Sequence, residues 1–243
     1  MITAITALQY EVDRLKYLKE TALSVQSNPE ITEWILLIDG GNQDQCENIK
    51  SLLKEILEIE VKVPYVTERK IGAAAARNLA LSLVSNAYVT SIDDDDLFTE
   101  RAFTKRLKLL EHDSNLHWAG GLLQDMAVDG ILGSVWDAPA KEGVYNAGEV
   151  LKIWDAPASE FPMNTAGILM RTDSIRSVGG WQGLPSAEDF GMVIGLTGSY
   201  RGLIIEDVVY LYRKHLSQST SRKDFQDLES IVRNAVFQRL QSL

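Results

Sequence analysis

At 243 residues, with 45% hydrophobic and 24% charged side chains, the chain has the composition of a globular protein able to bury one substantial core or two intimate halves. A net charge of −10 repels phosphate backbones and argues against a nucleic-acid partner. The single cysteine, Cys46, excludes an intramolecular disulfide and a thiolate metal cluster. No stretch approaches the roughly 18 apolar residues of a membrane span, and Met1-Ile-Thr-Ala lacks the basic start of a signal peptide. A cytoplasmic protein without a membrane span is therefore expected.

In chain order, Ile2–Leu8 reads as the first strand. Leu15, Leu18, Ala22 and Val25 fall on one face of a helix that Asn28-Pro29 ends. Trp34–Ile38 is a second strand running into Asp39-Gly40-Gly41. Ile49, Leu52, Leu53 and Ile56 mark the next helix, Val61–Val66 a third strand, Ala73–Val84 an alanine-rich helix and Ala87–Ile92 a fourth strand. Strands alternating with helical periods predict βαβ units, and so an α/β fold with a mostly parallel, Rossmann-like central sheet flanked by helices. Thr99 is expected to cap a helix bearing Phe103, Leu107 and Leu110. From Leu116 to Trp181 the pattern is less regular, and it holds Trp118, Trp136, Trp154 and Trp181. Phe225–Leu240 is amphipathic, with an apolar face that would pack on the body or on a partner subunit in a homodimer.

Four consecutive aspartates, Asp93 to Asp96, follow the apolar run at 87–92. In an extended backbone side chains at i and i+2 point the same way, so Asp93 and Asp95 would aim at one cation while Asp94 and Asp96 face the other side. Hard cations such as Mg2+ and Mn2+ take oxygen ligands, commonly one or two carboxylates plus the phosphates of a substrate. A solvated turn accounts for the same residues equally well, because Asp is a turn former. A calcium loop fits poorly, since Leu97 and Phe98 interrupt the ligand series it needs. Asp39 and the aspartate run both fall at carboxyl ends of expected strands, the edge where open α/β sheets bind ligands. Arg69, Lys70 and Arg77 are the basic groups available to an anionic ligand.

Five segments then occur in order: Asp39-Gly-Gly; Ile71-Gly-Ala-Ala-Ala-Ala-Arg77-Asn78; Ser91-Ile-Asp-Asp-Asp-Asp96; Gly179-Gly180-Trp181 with Glu188-Asp189; and Tyr212-Arg213-Lys-His215. Each alone is weak, but together they resemble family 2 of the glycosyltransferases, with the GT-A fold, over about residues 2–216. The resemblance implies a metal-dependent enzyme moving a sugar from a nucleoside diphosphate sugar, UDP-linked, to a hydroxyl of a sugar, lipid or small molecule with inversion. It implies a nucleotide-sugar half at 1–97, an acceptor-binding and catalytic half at 98–216 and a C-terminal amphipathic helix at 217–243. By resemblance Asp39, Gly72, Arg77, Asp93 and Asp94 line the nucleotide, Asp95 binds Mn2+ or Mg2+, His215 is a further metal or phosphate contact, and Asp189 is the catalytic base. Trp181, Glu188 and Asp96 are candidates for the sugar or acceptor. The family's Pro-x-Tyr-Asn after the first strand is replaced by Ala7-Leu8-Gln9-Tyr10, so base and ribose contacts there do not carry over by identity.

Taken residue by residue, plainer roles compete. Acids in a first helical turn suit the helix dipole, which would make Glu188-Asp189 a cap. His215 beside Arg213 and Lys214 would be the solvated basic end of a strand, and His112 and His117 are structural. Tryptophans are more often core than ligand, although their flat rings suit sugar faces. A retaining transferase, a sugar nucleotidyltransferase of related fold and a non-catalytic nucleotide- or carbohydrate-binding module are the alternative functions. Gln9-Tyr10-Glu11 is not the Gly-rich, Arg-bearing loop that a nucleotidyltransferase wants after its first strand.

Overall fold

The computed structural model describes residues 1–67, 69–216, 218 and 225–241. Its elements run β1 (Ile2–Leu8), α1 (Leu15–Gln26), β2 (Ile31–Gly41), α2 (Gln43–Lys54), β3 (Glu60–Lys62), β4 (Tyr65–Thr67), α3 (Ala73–Ser82), β5 (Tyr88–Ser91), β6 (Leu97–Phe98) and α4 (Thr104–His112). They continue through β7 (Trp118–Ala127), β8 (Leu132–Val135), β9 (Gly143–Tyr145), β10 (Leu169–Arg171), α5 (Thr172–Ser177), α6 (Glu188–Ser199), β11 (Gly202–Lys214) and α7 (Phe225–Leu240).

One sheet collects these strands in the order β3-β2-β1-β5-β10-β7-β11-β6, with β4, β8 and β9 attached to β2, β7 and β11. The half built from β1 to β5 is parallel throughout. β1, β2 and β5 are covered on both faces and so read as apolar runs. Along β2, Trp34, Leu36 and Ile38 enter the core under α1, α2 and α4, while Ile35 and Leu37 enter the core under α3 and α6. Each such buried side chain contributes about 1.5–3 kcal/mol, so the strand end carrying Asp39 is firmly anchored.

Beyond β5 the sheet becomes mixed. β10 is antiparallel to both β5 and β7, and β11 is parallel to β7. The carboxyl ends of β1, β2, β5, β7 and β11 therefore share one edge.

Three local expectations change. The third strand is split into β3 and β4 at Pro64, which has no N–H for a ladder but whose carbonyl accepts from Ile38 N at 3.0 Å. Thr99 does not cap α4: its hydroxyl donates to Val208 O at 2.8 Å, and Phe103 occupies the cap. The less regular stretch contains the ten-residue β7, hidden from pattern reading by its Gly120-Gly121 pair. A Cβ at Gly121 would sit 2.7 Å from Val209 of β11, so close strand approach requires the glycine. Among the described residues no helix is long and apolar enough to cross a membrane.

Candidate active site

The aspartate run does not continue β5 as an extended segment. β5 ends at Ser91, and Asp96 N returns to Asp93 O at 3.3 Å, closing a turn through Asp94 and Asp95. The alternation expected of an extended strand is lost. Ligand atoms of Asp93, Asp95 and Asp96 lie within 4.8 Å of one another, while Asp94 turns toward Arg14.

Arg14, Tyr210, Arg213 and His215 are among the groups that hold this turn. Arg14, in the short helical turn after β1, donates to Asp94 and, at 2.7 Å, to Asp95 Oδ2. Tyr210 of β11 donates its hydroxyl to Asp96 Oδ2 at 2.9 Å, and Arg213 N donates to Asp96 Oδ1 at 2.8 Å. Arg213 is fully buried and its Nε donates to the Asp95 carbonyl at 2.6 Å. His215 Nε2 lies 2.8 Å from Asp95 Oδ2, with its ring stacked on Tyr17 and its side chain only 5% exposed. The solvated-strand reading of His215 is thereby corrected: the residue faces the aspartate turn.

The packing of carboxylates shows in their proton affinities. Burial, with Asp95 adding, pushes Asp94 up to about 8 against the pull of Arg14. Burial and Asp93 raise Asp95 while Arg14 and His215 oppose. Asp96 is raised well above the carboxylate range, by burial first and then by Asp95 and Asp93. Asp94 Oδ2 is buried with no hydrogen-bond partner among the described residues. A concentration of hard oxygen donors this disfavoured as anions fits a divalent cation. With Asp96 engaged at both oxygens, Asp95 and Asp93 are the residues that would hold it.

A second acidic group stands opposite. Glu188 and Asp189 open α6 after Ala187, whose backbone is left-handed at φ +49°. A non-glycine residue there costs on the order of 1 kcal/mol or more, and the helix starts at this position in spite of it. Two consecutive residues of α3 tie the groups together. Arg77 donates to Asp93 Oδ1 at 2.7 Å and to Glu188 Oε1, with Asp189 Oδ1 at 3.8 Å. Asn78 exchanges two hydrogen bonds with the Trp181 backbone, at 2.7 and 2.8 Å. A Cβ at Gly180, φ +67°, would lie 2.1 Å from Asn78 Oδ1, which explains the glycine before Trp181.

Trp181 is itself buried, 1% exposed, and its Nε1 donates to Asp189 Oδ1 at 2.8 Å. Its ring thus orients a carboxylate and offers no face to a sugar. Burial pushes Asp189 up to about 7; Arg77 and the Trp181 indole pull it down, while Glu188 and Asp93 push further up. For Arg77, burial acts to lower the pKa, but Asp189, Asp93 and Glu188 outweigh it. Its two terminal nitrogens donate to carboxylates, while its buried Nε has no hydrogen-bond partner among the described residues.

Asp39 is buried at the end of β2 and accepts from Ile71 N at 2.7 Å and Gly72 N at 3.0 Å, fixing the loop into α3. Lys70 donates to Gln9 Oε1 at 3.0 Å. Sequence reasoning assigned no role to Arg14, Tyr210, Arg213 or Asn78. The available signal for Arg213 was its place in the Tyr212-Arg213-Lys-His215 segment; Arg14 lies 79 positions before Asp93 and carried none.

Residues 10–124 match the model of Glycosyl transferase family 2. Over that stretch, just under half of its length, the chain is similar to glycosyltransferase family 2. It is 26% identical over 103 residues to an uncharacterised glycosyltransferase of Methanocaldococcus jannaschii, covering 42% of this chain and 34% of that one. It is 30% identical over 84 residues to glycosyltransferase GlyA of Streptococcus pneumoniae, covering 34% and 12%. These alignments span about a third or less of the relatives' length. Among solved structures, S. aureus TarS 1-349 in complex with UDP-GlcNAc superposes with a TM-score of 0.68 at 16% identity, over 96% of this chain and 66% of that one. The fold of this chain is GT-A.

Proposed function

We propose that this protein transfers a sugar from a nucleoside diphosphate sugar to an acceptor hydroxyl with inversion. The observation that carries the reading is Arg77, which holds an aspartate turn suited to a cation and a carboxylate of raised proton affinity on one guanidinium. In this reading residues 1–97 hold the nucleotide, Asp39 and Gly72 shaping its pocket, and residues 98–216 supply the acceptor side. Uridine diphosphate is the nucleotide we favour, supported by TarS having been solved with UDP and with UDP-GlcNAc on this fold.

A Mn2+ or Mg2+ ion held by Asp95, with Asp93 and His215 beside it, would neutralise charge growing on the departing diphosphate. Asp189 accepts the proton of the acceptor hydroxyl, work worth typically ~10²–10⁴-fold and best done by a group titrating near the working pH. Trp181 keeps the carboxylate in one orientation and Arg77 limits its pKa. Attack from the face opposite the leaving group produces inversion, by the logic that applies to inverting glycosidases.

Thermal shift with a panel of nucleotides, with and without Mn2+, tests the donor side: UDP is expected to stabilise the protein only when the cation is present. Stabilisation by no nucleotide would contradict the reading. Incubation with labelled UDP-sugars separates an enzyme, which shows slow donor hydrolysis, from a binding module, which shows none. The anomeric configuration of the product distinguishes inversion from retention.

A further inference from the structure

Four of the five tryptophans are core residues: Trp34, Trp118, Trp154 and Trp181 are each 3% exposed or less. Trp136 is 38% exposed, and it is held by partners that a loose surface ring would not have. Its backbone N–H donates to Leu123 O at 2.8 Å, extending the β7–β8 pairing past the end of β8. Its indole Nε1 donates to Asp125 Oδ1 at 2.8 Å. Its ring packs edge-on against Tyr212, centroids 5.4 Å apart. The Lys214 ammonium lies 5.1 Å from the Trp136 ring centre, 4.5 Å from that of Tyr212 and 3.3 Å from Asp125 Oδ1.

The strand register accounts for the cluster. Tyr212 of β11 is the partner of Asp125 of β7, and Lys214 of Ala127, so all four side chains gather at the carboxyl edge of the sheet. Arg213, between Tyr212 and Lys214, is bonded to Asp95 and Asp96 of the aspartate turn. Along β11 the cluster lies one strand residue, ~3.3 Å, from Arg213, with Tyr212 and Lys214 on the face opposite to the Arg213 side chain.

We propose that Trp136, with Tyr212, Lys214 and Asp125, forms a saccharide-binding subsite that receives a pyranose ring of the acceptor; the proposal rests on the glycosyltransferase reading. An indole held open beside a second ring supplies an apolar plate for the C–H face of a sugar. Asp125 beside the indole and the Lys214 ammonium, which lies over the Trp136 and Tyr212 rings, supply an acceptor and a donor for hydroxyls, the usual pairing of an apolar wall with a few convergent polar groups. Of the lipid, sugar and small-molecule acceptors expected from the sequence, this surface selects one ending in a saccharide.

Saturation-transfer NMR with methyl β-glucoside, methyl β-galactoside, methyl β-N-acetylglucosaminide and chitobiose on the wild-type chain is the test, repeated on Trp136→Ala and Lys214→Ala. At least one of these probes is expected to receive saturation from the wild type. Its affinity should fall about tenfold in Trp136→Ala and less in Lys214→Ala. The Mn2+-dependent thermal shift by UDP should be unchanged in both, which also shows that both variants fold. Equal binding by the wild type and Trp136→Ala would overturn the subsite, as would binding of none of the four probes by the wild type. Absence of any nucleotide shift in the wild type, with saccharide binding intact, would instead overturn the transferase reading and leave the saccharide site standing.

Discussion

The two acidic regions of the site are built in opposite ways. The aspartate turn packs four carboxylates, three of them buried, against Arg14, Arg213, Tyr210 and His215. The start of α6 offers two carboxylates: Glu188 is engaged by Arg77, and Asp189 is oriented by a neutral indole with the same guanidinium 3.8 Å away. The first arrangement concentrates negative charge for a cation; the second leaves a single proton acceptor poised. The difference teaches that acids of one chemical type are sorted by their partners: several charged partners suit the cation holder proposed at Asp95, and a neutral donor suits the base proposed at Asp189.

That contrast can be broken from either side. Replacing Asp189 by Asn removes the proposed proton acceptor and keeps the shape, and transfer measured with labelled donor is expected to fall ~10²–10⁴-fold. Arg77→Ala attacks the joint instead. It leaves Glu188 and the partly exposed Asp93 without their shared cation, a loss of about 1.5–3 kcal/mol for hydrogen bonds to a charged group, seen as a melting point lower by roughly 3–12 °C. A variant that melts with the wild type would mean that the joint is not structural.

Smaller effects sharpen the base assignment. Asp189 is raised to about 7 by burial, and among the groups facing it Arg77 and Trp181 lower its pKa while Glu188 and Asp93 raise it. A base works only when deprotonated, so kcat/KM should climb as pH rises toward about 7 and level off above. Removing the indole donor with Trp181→Phe should move that limb to higher pH; an unmoved limb would assign it to another group. The smallest expected change is Ala187→Gly, which relieves the left-handed alanine before α6 and should raise stability by about 1 kcal/mol in denaturant titration.

The parallel half of the fold was legible because strands buried on both faces leave unbroken apolar runs, as in Ile2–Leu8 and Trp34–Ile38. The other half was not, because β7 depends on close backbone approach at Gly121 and β8 is exposed along its whole length. In the site, the acids were visible as residues while their surroundings were not. An aspartate run after a strand can extend or turn, and the turn seen here follows from Tyr210 and Arg213, which lie more than a hundred positions away. Likewise Glu188-Asp189 looks like a cap in isolation. Only the pairing of Arg77 with Asp93 and of Asn78 with Trp181 shows why the same helix turn faces the aspartates.

The division of labour between donor holder and base is tested most directly by titrating UDP, in the presence of Mn2+, into Asp189→Asn and Asp95→Asn side by side. The account predicts wild-type nucleotide affinity in Asp189→Asn and a loss of the metal-dependent part of that affinity in Asp95→Asn. Weakened binding in the first variant with undiminished metal-dependent binding in the second would contradict it.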